Sequence, residues 1–171
     1  RAIICLDDEV YSMAYHESEN LIYASTLKNG IVMIDEETGT IKRTLPIVKK
    51  WTTAISYYQS HNILLASGYT DKPYVWDVNK DYAPFKIPDG LGSMQPKAMS
   101  DNGVVFFDGN GVIGLLDIKK NSTYKTVKLN GRISDINGFG NVLSISDKYF
   151  IYKNTISDSV LLKRKHPDWP I

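Results

Sequence analysis

A single cysteine, Cys5, stands in the 171 residues, so the chain closes no internal disulfide and builds no Cys-rich zinc site. That usage fits a reducing compartment, and Cys5 itself is expected as a buried strand thiol. Long apolar runs are also missing. The most apolar stretches, Ile3-Ile4-Cys5-Leu6 and Val104-Val105-Phe106-Phe107, are strand-sized, far short of the about 20 residues that cross a bilayer as a helix. No transmembrane span is expected. An excess of one charge is lacking too: 20 Lys+Arg face 19 Asp+Glu. This excludes a global field that would draw the chain to nucleic acid or an anionic membrane, so any basic site is local. The opening residues carry no basic stretch followed by an apolar one and no small-residue cleavage pattern. With the lone thiol, this sets the expectation of an intracellular protein, cytoplasmic or nuclear.

Signatures of chemistry are equally sparse. No Gly-rich loop leads into Lys-Ser/Thr, and Gly138-Phe139-Gly140 lacks the third glycine and the helix of a dinucleotide site. His16, His61 and His166 form no metal motif, and His16 and His61 are expected as exposed turn residues. Asp7, Asp8 and Glu9 are adjacent in one loop, which does not give two carboxylates the unlike environments that acid–base work needs. Ser12, Ser56 and Ser134 have no neighbouring His and no sharp elbow. No catalytic residue, metal or cofactor is expected.

What the sequence does have is a repeat. Asp35, Asp77 and Asp117 each end an apolar strand, at separations of 42 and 40 residues. A fourth such strand, Tyr149-Phe150-Ile151-Tyr152, keeps a similar step without the acid. The register extends upstream: Tyr15 and Tyr57, Asn20 and Asn62, Ala24 and Ala66, and Ser25 and Ser67 all stand 42 apart. A self-similarity held over whole units marks a repeat architecture. An acid that recurs with the repeat is better explained by turn capping than by one active site.

Each unit alternates strand and turn four times. Strands are expected at 10–15, 21–25, 31–34 and 41–45; at 53–58, 63–67, 74–76 and 85–87; at 97–100, 103–107, 112–116 and 124–129; and at 133–136, 142–145, 149–152 and 159–162. Val, Ile, Tyr and Thr enrich these stretches, and Asn, Gly, Asp and Glu fill the turns between them. No segment carries a helical apolar stripe of useful length, so the class is all-β.

The unit Ile63-Leu64-Leu65-Ala66-Ser67-Gly68, a turn, then Tyr74-Val75-Trp76-Asp77, together with its echoes, resembles the blades of WD-repeat β-propellers. Trp76-Asp77 keeps that family's dipeptide. Asp7-Asp8-Glu9, Lys49-Lys50-Trp51, the loop at 90–95 and Gly131-Arg132 stand where such a repeat opens with Gly-His. The resemblance implies that Ser67, Asp71 and Trp76 supply three members of a buried hydrogen-bond chain. It implies four consecutive four-stranded blades at 8–46, 47–88, 89–130 and 131–165. Residues 1–7 would be the outer strand of a preceding blade, and 166–171 a C-terminal extension in which two prolines oppose ladder pairing. The basic run Lys163-Arg164-Lys165 is expected to leave the strand pattern as a solvated tail. Because residues 2–6 add a strand that four blades do not need, the expectation is part of a larger, about seven-bladed propeller, completed by further residues or by another chain, with a complete four-bladed ring as the alternative.

In such a fold the loops entering each first strand and the turns between second and third strands open on one face, where repeat proteins place their binding. Lys28, Lys49, Lys50, Trp51, Tyr69, Lys72, Met94 and Arg132 would share that rim, with Trp51 as an interface anchor or as packing between blades. The function this implies is a non-catalytic protein–protein interaction scaffold within a multi-subunit complex, its partner another protein or the rest of the propeller. Two alternatives remain open. The same lysines and Arg132 could read a phosphorylated peptide or a phosphoinositide, or a channel site could make the chain a propeller enzyme, although no converging set of Asp, Asn and His stands out.

Overall fold

The computed structural model describes residues 4–45, 52–68, 73–87, 95–100, 103–107, 112–120, 124–128, 133–139, 141–146, 149–154 and 160–165. The chain divides into two compact units, Arg1–Phe85 and Lys86–Ile171. The first contains two antiparallel sheets. Strands β1 (Val10–His16), β2 (Leu21–Thr26), β3 (Gly30–Asp35) and β4 (Ile41–Leu45) lie side by side in chain order. Strands β5 (Thr52–Tyr58), β6 (Ile63–Gly68), β7 (Tyr74–Asp77) and β8 (Ala83–Pro84) repeat that order. The second unit contains β9 (Gln95–Ser100), β10 (Gly103–Phe107), β11 (Val112–Asp117) and β12 (Tyr124–Lys128) in one sheet. Its other sheet holds β13 (Ile133–Phe139), β14 (Asn141–Ser146), β15 (Tyr149–Asn154) and β16 (Val160–Lys165). Among the described residues there is no α-helix, and no helix is long and apolar enough to cross a membrane.

The repeat seen in the sequence is a repeat of pairing. Met13 opposes Ala24 and Tyr15 opposes Ile22, and 42 residues on Ile55 opposes Ala66 and Tyr57 opposes Leu64. Ile22 opposes Ile34 as Leu64 opposes Trp76. Even the bulge repeats, falling between Val10 and Ser12 in β1 and between Thr52 and Ala54 in β5. The hinge into the second strand is an asparagine each time: Asn20 at φ 50° and Asn62 at φ 51°, in the left-handed region that Asn tolerates better than most residues. Each hinge carbonyl accepts the amide at the end of the third strand, Glu36 N on Asn20 and Val78 N on Asn62, both at 2.9 Å. Each hinge side chain meets a tyrosine hydroxyl: Tyr57 donates to Asn62 at 2.6 Å, while Tyr15 lies 3.3 Å from Asn20 and donates to Glu36 Oε2 at 2.5 Å.

Alternation then sorts the side chains. One face of the first sheet gives Leu21, Tyr23, Ile31, Met33 and Leu45 to a core completed by Ile55, Leu64, Ala66 and Trp76 of the second. Leu64 and Tyr23 have no exposed surface, and burying a side chain of Leu size contributes about 1.5–3 kcal/mol. The first sheet's other face sets Ala24, Val32 and Ile34 beneath Ile4 and Leu6. Ile34, Trp76 and Leu116, at equivalent places in three sheets, are all buried. In the second unit, Gly103 is required by close approach, since a Cβ there would lie 1.9 Å from the Leu116 carbonyl oxygen.

Several expectations shift. Ile4, Cys5 and Leu6 lie outside the strands, with residues 1–3 beyond the described set, and Cys5 is exposed rather than buried. Ile4 and Leu6 turn inward, and the residue between them points out. The second sheet's outer strand is Ala83–Pro84, not 85–87. Consecutive positive φ angles at Asp81 (52°) and Tyr82 (60°) turn the chain back early, and Pro84 has no N–H to extend the ladder. Lys163, Arg164 and Lys165 do not leave the strand pattern: they pair with Ile151, Phe150 and Tyr149 inside β16.

Candidate interaction surface

At the end of the first sheet where β1 begins, Asp8 ties the incoming chain to the turn between β2 and β3. Its Oδ2 accepts the amides of Lys28 (2.8 Å) and Asn29 (3.1 Å) and the Asn29 side-chain amide (3.0 Å). Its Oδ1 accepts the amide of Glu9 at 2.9 Å. Desolvation pushes the Asp8 carboxyl up, and the donors from Lys28, Thr26, Asn29 and Glu9 together outweigh it, leaving it below the ordinary carboxylate range. The loop entering a first strand and the turn between second and third strands therefore do meet at one end. Lys28 stands there with its side chain exposed. Lys49, Lys50, Trp51, Tyr69, Lys72, Met94 and Arg132 lie outside the described residues, as does Asp71 of the implied hydrogen-bond chain, whose Ser67 and Trp76 are both buried.

The recurring acids serve their own turns. Asp35 Oδ1 accepts from the Thr38 amide (2.7 Å) and hydroxyl (2.9 Å), and Lys42 Nζ sits 2.6 Å from its Oδ2. The Lys42 ammonium, with the Thr38 donors, holds the Asp35 carboxyl well below the usual range. Asp77 pairs with Lys80 at 2.9 Å. Asp117 accepts the amides of Lys119 (2.9 Å) and Lys120 (3.0 Å).

At the opposite end of the first sheet lies a polar seam that the sequence did not announce. His16 is 3% exposed, not an exposed turn residue. It ends β1, its Nδ1 3.1 Å from the Tyr23 hydroxyl and its Nε2 3.2 Å from Ser18 Oγ, and its ring lies 4.3 Å from that of Tyr57 in the second sheet. The Tyr23 hydroxyl also meets the Tyr82 hydroxyl at 3.0 Å. Arg43 covers the Tyr82 ring at 5.2 Å and pairs with Asp81. Burial, then the bond to Tyr82, raises the Tyr23 hydroxyl far above the ordinary phenol range, and burial raises Tyr57 and Tyr82 as well. These hydroxyls stay protonated; those of Tyr23 and Tyr82 tie the two sheets and that of Tyr57 holds Asn62 in its own sheet, so none is an acid or a nucleophile. The signal available in the sequence was the tyrosine repeated at 15 and 57; nothing local marked Tyr82. His61 stays in its turn, half-buried, with Ser60 Oγ 2.8 Å from its Nδ1, and His166 lies outside the described residues. Among the described residues, no group of three or more His, Cys, Asp or Glu side chains could hold a metal ion.

Four-stranded antiparallel sheets, met one after another in chain order, match the solved structure of U3-55K, a WD40 β-propeller protein, with a TM-score of 0.72 over 92% of this chain. The fold matches part of a WD40 β-propeller. Identity over that match is 8%, so the likeness concerns the fold alone, and the chain spans 52% of the length of U3-55K in that structure. No family model and no curated protein matches the sequence.

Proposed function

We propose that the chain is a non-catalytic protein–protein interaction scaffold: four consecutive blades, at 8–46, 47–88, 89–130 and 131–165, of a larger, about seven-bladed propeller. It holds its partners through the rim loops and works within a multi-subunit complex inside the cell, cytoplasmic or nuclear. The observation that carries this reading is the propeller fold itself. The recurring carboxylates agree with it: Asp35 and Asp117 are engaged by donors of their own turns and Asp77 by Lys80, which leaves them unsuited to a converging catalytic set. The tie from Asp8 to the Lys28 turn supports a rim whose loops are held in place for binding.

The test is a pull-down from the native source with the wild-type chain and with Lys49, Lys50 and Trp51 all changed to Ala. A stable partner captured by the first and lost by the second, at an unchanged unfolding midpoint, is the expected result. Recovery of the wild-type chain alone would remove the proposal, and a large loss of stability in the variant would make Trp51 a packing residue.

A further inference from the structure

The fourth strands β4, β12 and β16 all carry Lys or Arg and no Asp or Glu. In the first three sheets the acid that ends the third strand answers basic charge nearby: Asp35 pairs with Lys42 at 2.6 Å, Asp77 with Lys80 at 2.9 Å and Asp117 with Lys120 at 3.9 Å. Those acids oppose Leu21, Ile63 and Gly103, the residues that begin the second strands. In the fourth sheet the same register position, opposite Asn141, holds Asn154. The compensating acid is missing where basic charge is greatest. Lys163, Arg164 and Lys165 follow one another on β16, opposite Ile151, Phe150 and Tyr149, and β15 adds Lys153. The one acid within that sheet's strands is Asp135, on β13 at the other end of the strand order.

We propose that β16 is a docking edge for an extended acidic segment of another protein, which adds to the fourth sheet as a fifth, antiparallel strand. This deepens the scaffold reading, on which it rests, at a strand edge apart from the rim loops. β16 is last in the order β13-β14-β15-β16, so its outward N–H and C=O groups have no ladder partner among the described residues. Such an edge is a template for pairing, and its charges decide what pairs. Opposite charges facing each other across a ladder stabilise it and like charges destabilise it. A second copy of β16, or β4 or β12 of another copy, would set basic residues against the run. An acidic strand meets no such penalty. Lysine on an edge also blunts association, but β4 does this with Lys42 and Arg43 paired to Asp35 and Asp81, whereas β16 has a third basic residue and no acid in the strand it pairs with. Strand alternation puts Lys163 and Lys165 on one face and Arg164 on the other. The matching segment therefore carries acids at consecutive positions, followed in the antiparallel sense by apolar or β-branched residues along Leu162, Leu161 and Val160.

The test is fluorescence anisotropy on the purified protein with two labelled probe peptides, Glu-Asp-Glu-Val-Thr-Val and Lys-Arg-Lys-Val-Thr-Val. The acidic probe is expected to bind, more weakly as salt is raised, and the basic probe is not. Changing both Lys163→Glu and Lys165→Glu should weaken the acidic probe about tenfold or more and let the basic probe bind. A gain of binding cannot come from misfolding. N-methylation of alternate amides of the acidic probe removes its ladder donors and should abolish binding. No binding of the acidic probe, equal binding of both probes, binding that survives N-methylation, or a charge-reversed variant that gains nothing for the basic probe overturns the proposal. So does an oligonucleotide of equal charge that binds as tightly as the acidic probe, which would mark a phosphate site instead of a strand edge. No rim partner takes part in this measurement, so its failure leaves the pull-down with the Lys49, Lys50 and Trp51 variant standing, and failure of the pull-down leaves this outcome to be read by itself.

Discussion

The first and second sheets are near copies whose residues live in unlike surroundings. Asn20 and Asn62 turn at nearly the same φ, and a tyrosine hydroxyl reaches each of them. Yet Met13 is bare where Ile55 is buried. On the other face, Tyr23 stands where the second sheet has Leu65, and with His16 it makes the seam polar. A strand in this architecture sets which way its side chains point, and the neighbouring sheet decides what they meet. Burial is a property of the pair, as in any repeat that cannot cover its own apolar face.

The sharpest way to break this comparison is to truncate the same position in each sheet. Ile55→Ala removes a side chain from the shared core and is expected to cost about 2–5 kcal/mol in urea denaturation, whereas Met13→Ala should stay within about 0.5 kcal/mol. Equal losses would mean that the two faces are covered alike. Next in size, Tyr23→Phe takes the hydroxyl from between His16 and Tyr82, leaving buried polar atoms unsatisfied at a cost of about 1–3 kcal/mol. Leu65→Met, the volume-conserving change at the equivalent place, should cost less than about 1.5 kcal/mol.

These contrasts show what could be read from the sequence. The all-β class, the 42-residue register and the capping role of Asp35 were legible because each rests on local pattern: strand alternation, a fixed spacing, an acid before a turn. The burial of His16 was not, because it depends on Tyr23 in the adjacent strand and on Tyr82, which is 59 residues from Tyr23 in sequence. A histidine before Glu-Ser-Glu looks solvated until those hydroxyls are in place. The second sheet's outer strand was misplaced for a related reason. Asp81 and Tyr82 both take positive φ without a glycine to signal it, and Tyr82 is held there by contacts with Tyr23 and Arg43. Of the rim residues, Lys28 alone falls among those described, and Asp8 fastens its turn.

The hinge asparagines sharpen the likeness rather than the difference. Asn20→Ala and Asn62→Ala each force a Cβ-bearing side chain without a local polar partner into the left-handed region, at about 1–2 kcal/mol; Asn62→Ala also frees the Tyr57 hydroxyl, whereas Tyr15 keeps its bond to Glu36. Asn→Gly at either site keeps the backbone and should recover most of the loss. Both sheets are expected to lose stability in thermal or urea unfolding, the second somewhat more; a loss confined to one would show that the pairing register conceals unlike hinges.

The smallest effect is electrostatic and concerns the acid that ends the third strand. Asp35 is engaged by Lys42 and by both donors of Thr38, and its carboxyl is depressed in the folded chain. A group whose folded value lies below its unfolded one contributes stability that is fully present above the unfolded value and is lost as pH falls toward the folded one. Wild type should therefore exceed Asp35→Asn at neutral pH. The gap should persist down to about pH 4 and then close on further acidification, as the unfolded carboxyl begins to bind the proton that the folded one resists. Urea midpoints of the two proteins across that range test the sign. A gap that widens toward acid would mean that Lys42 and Thr38 do not hold the charged form, and that the strand end is fixed by its backbone bonds, Asp35 N to Thr40 O and Gly39 N to Asp35 O.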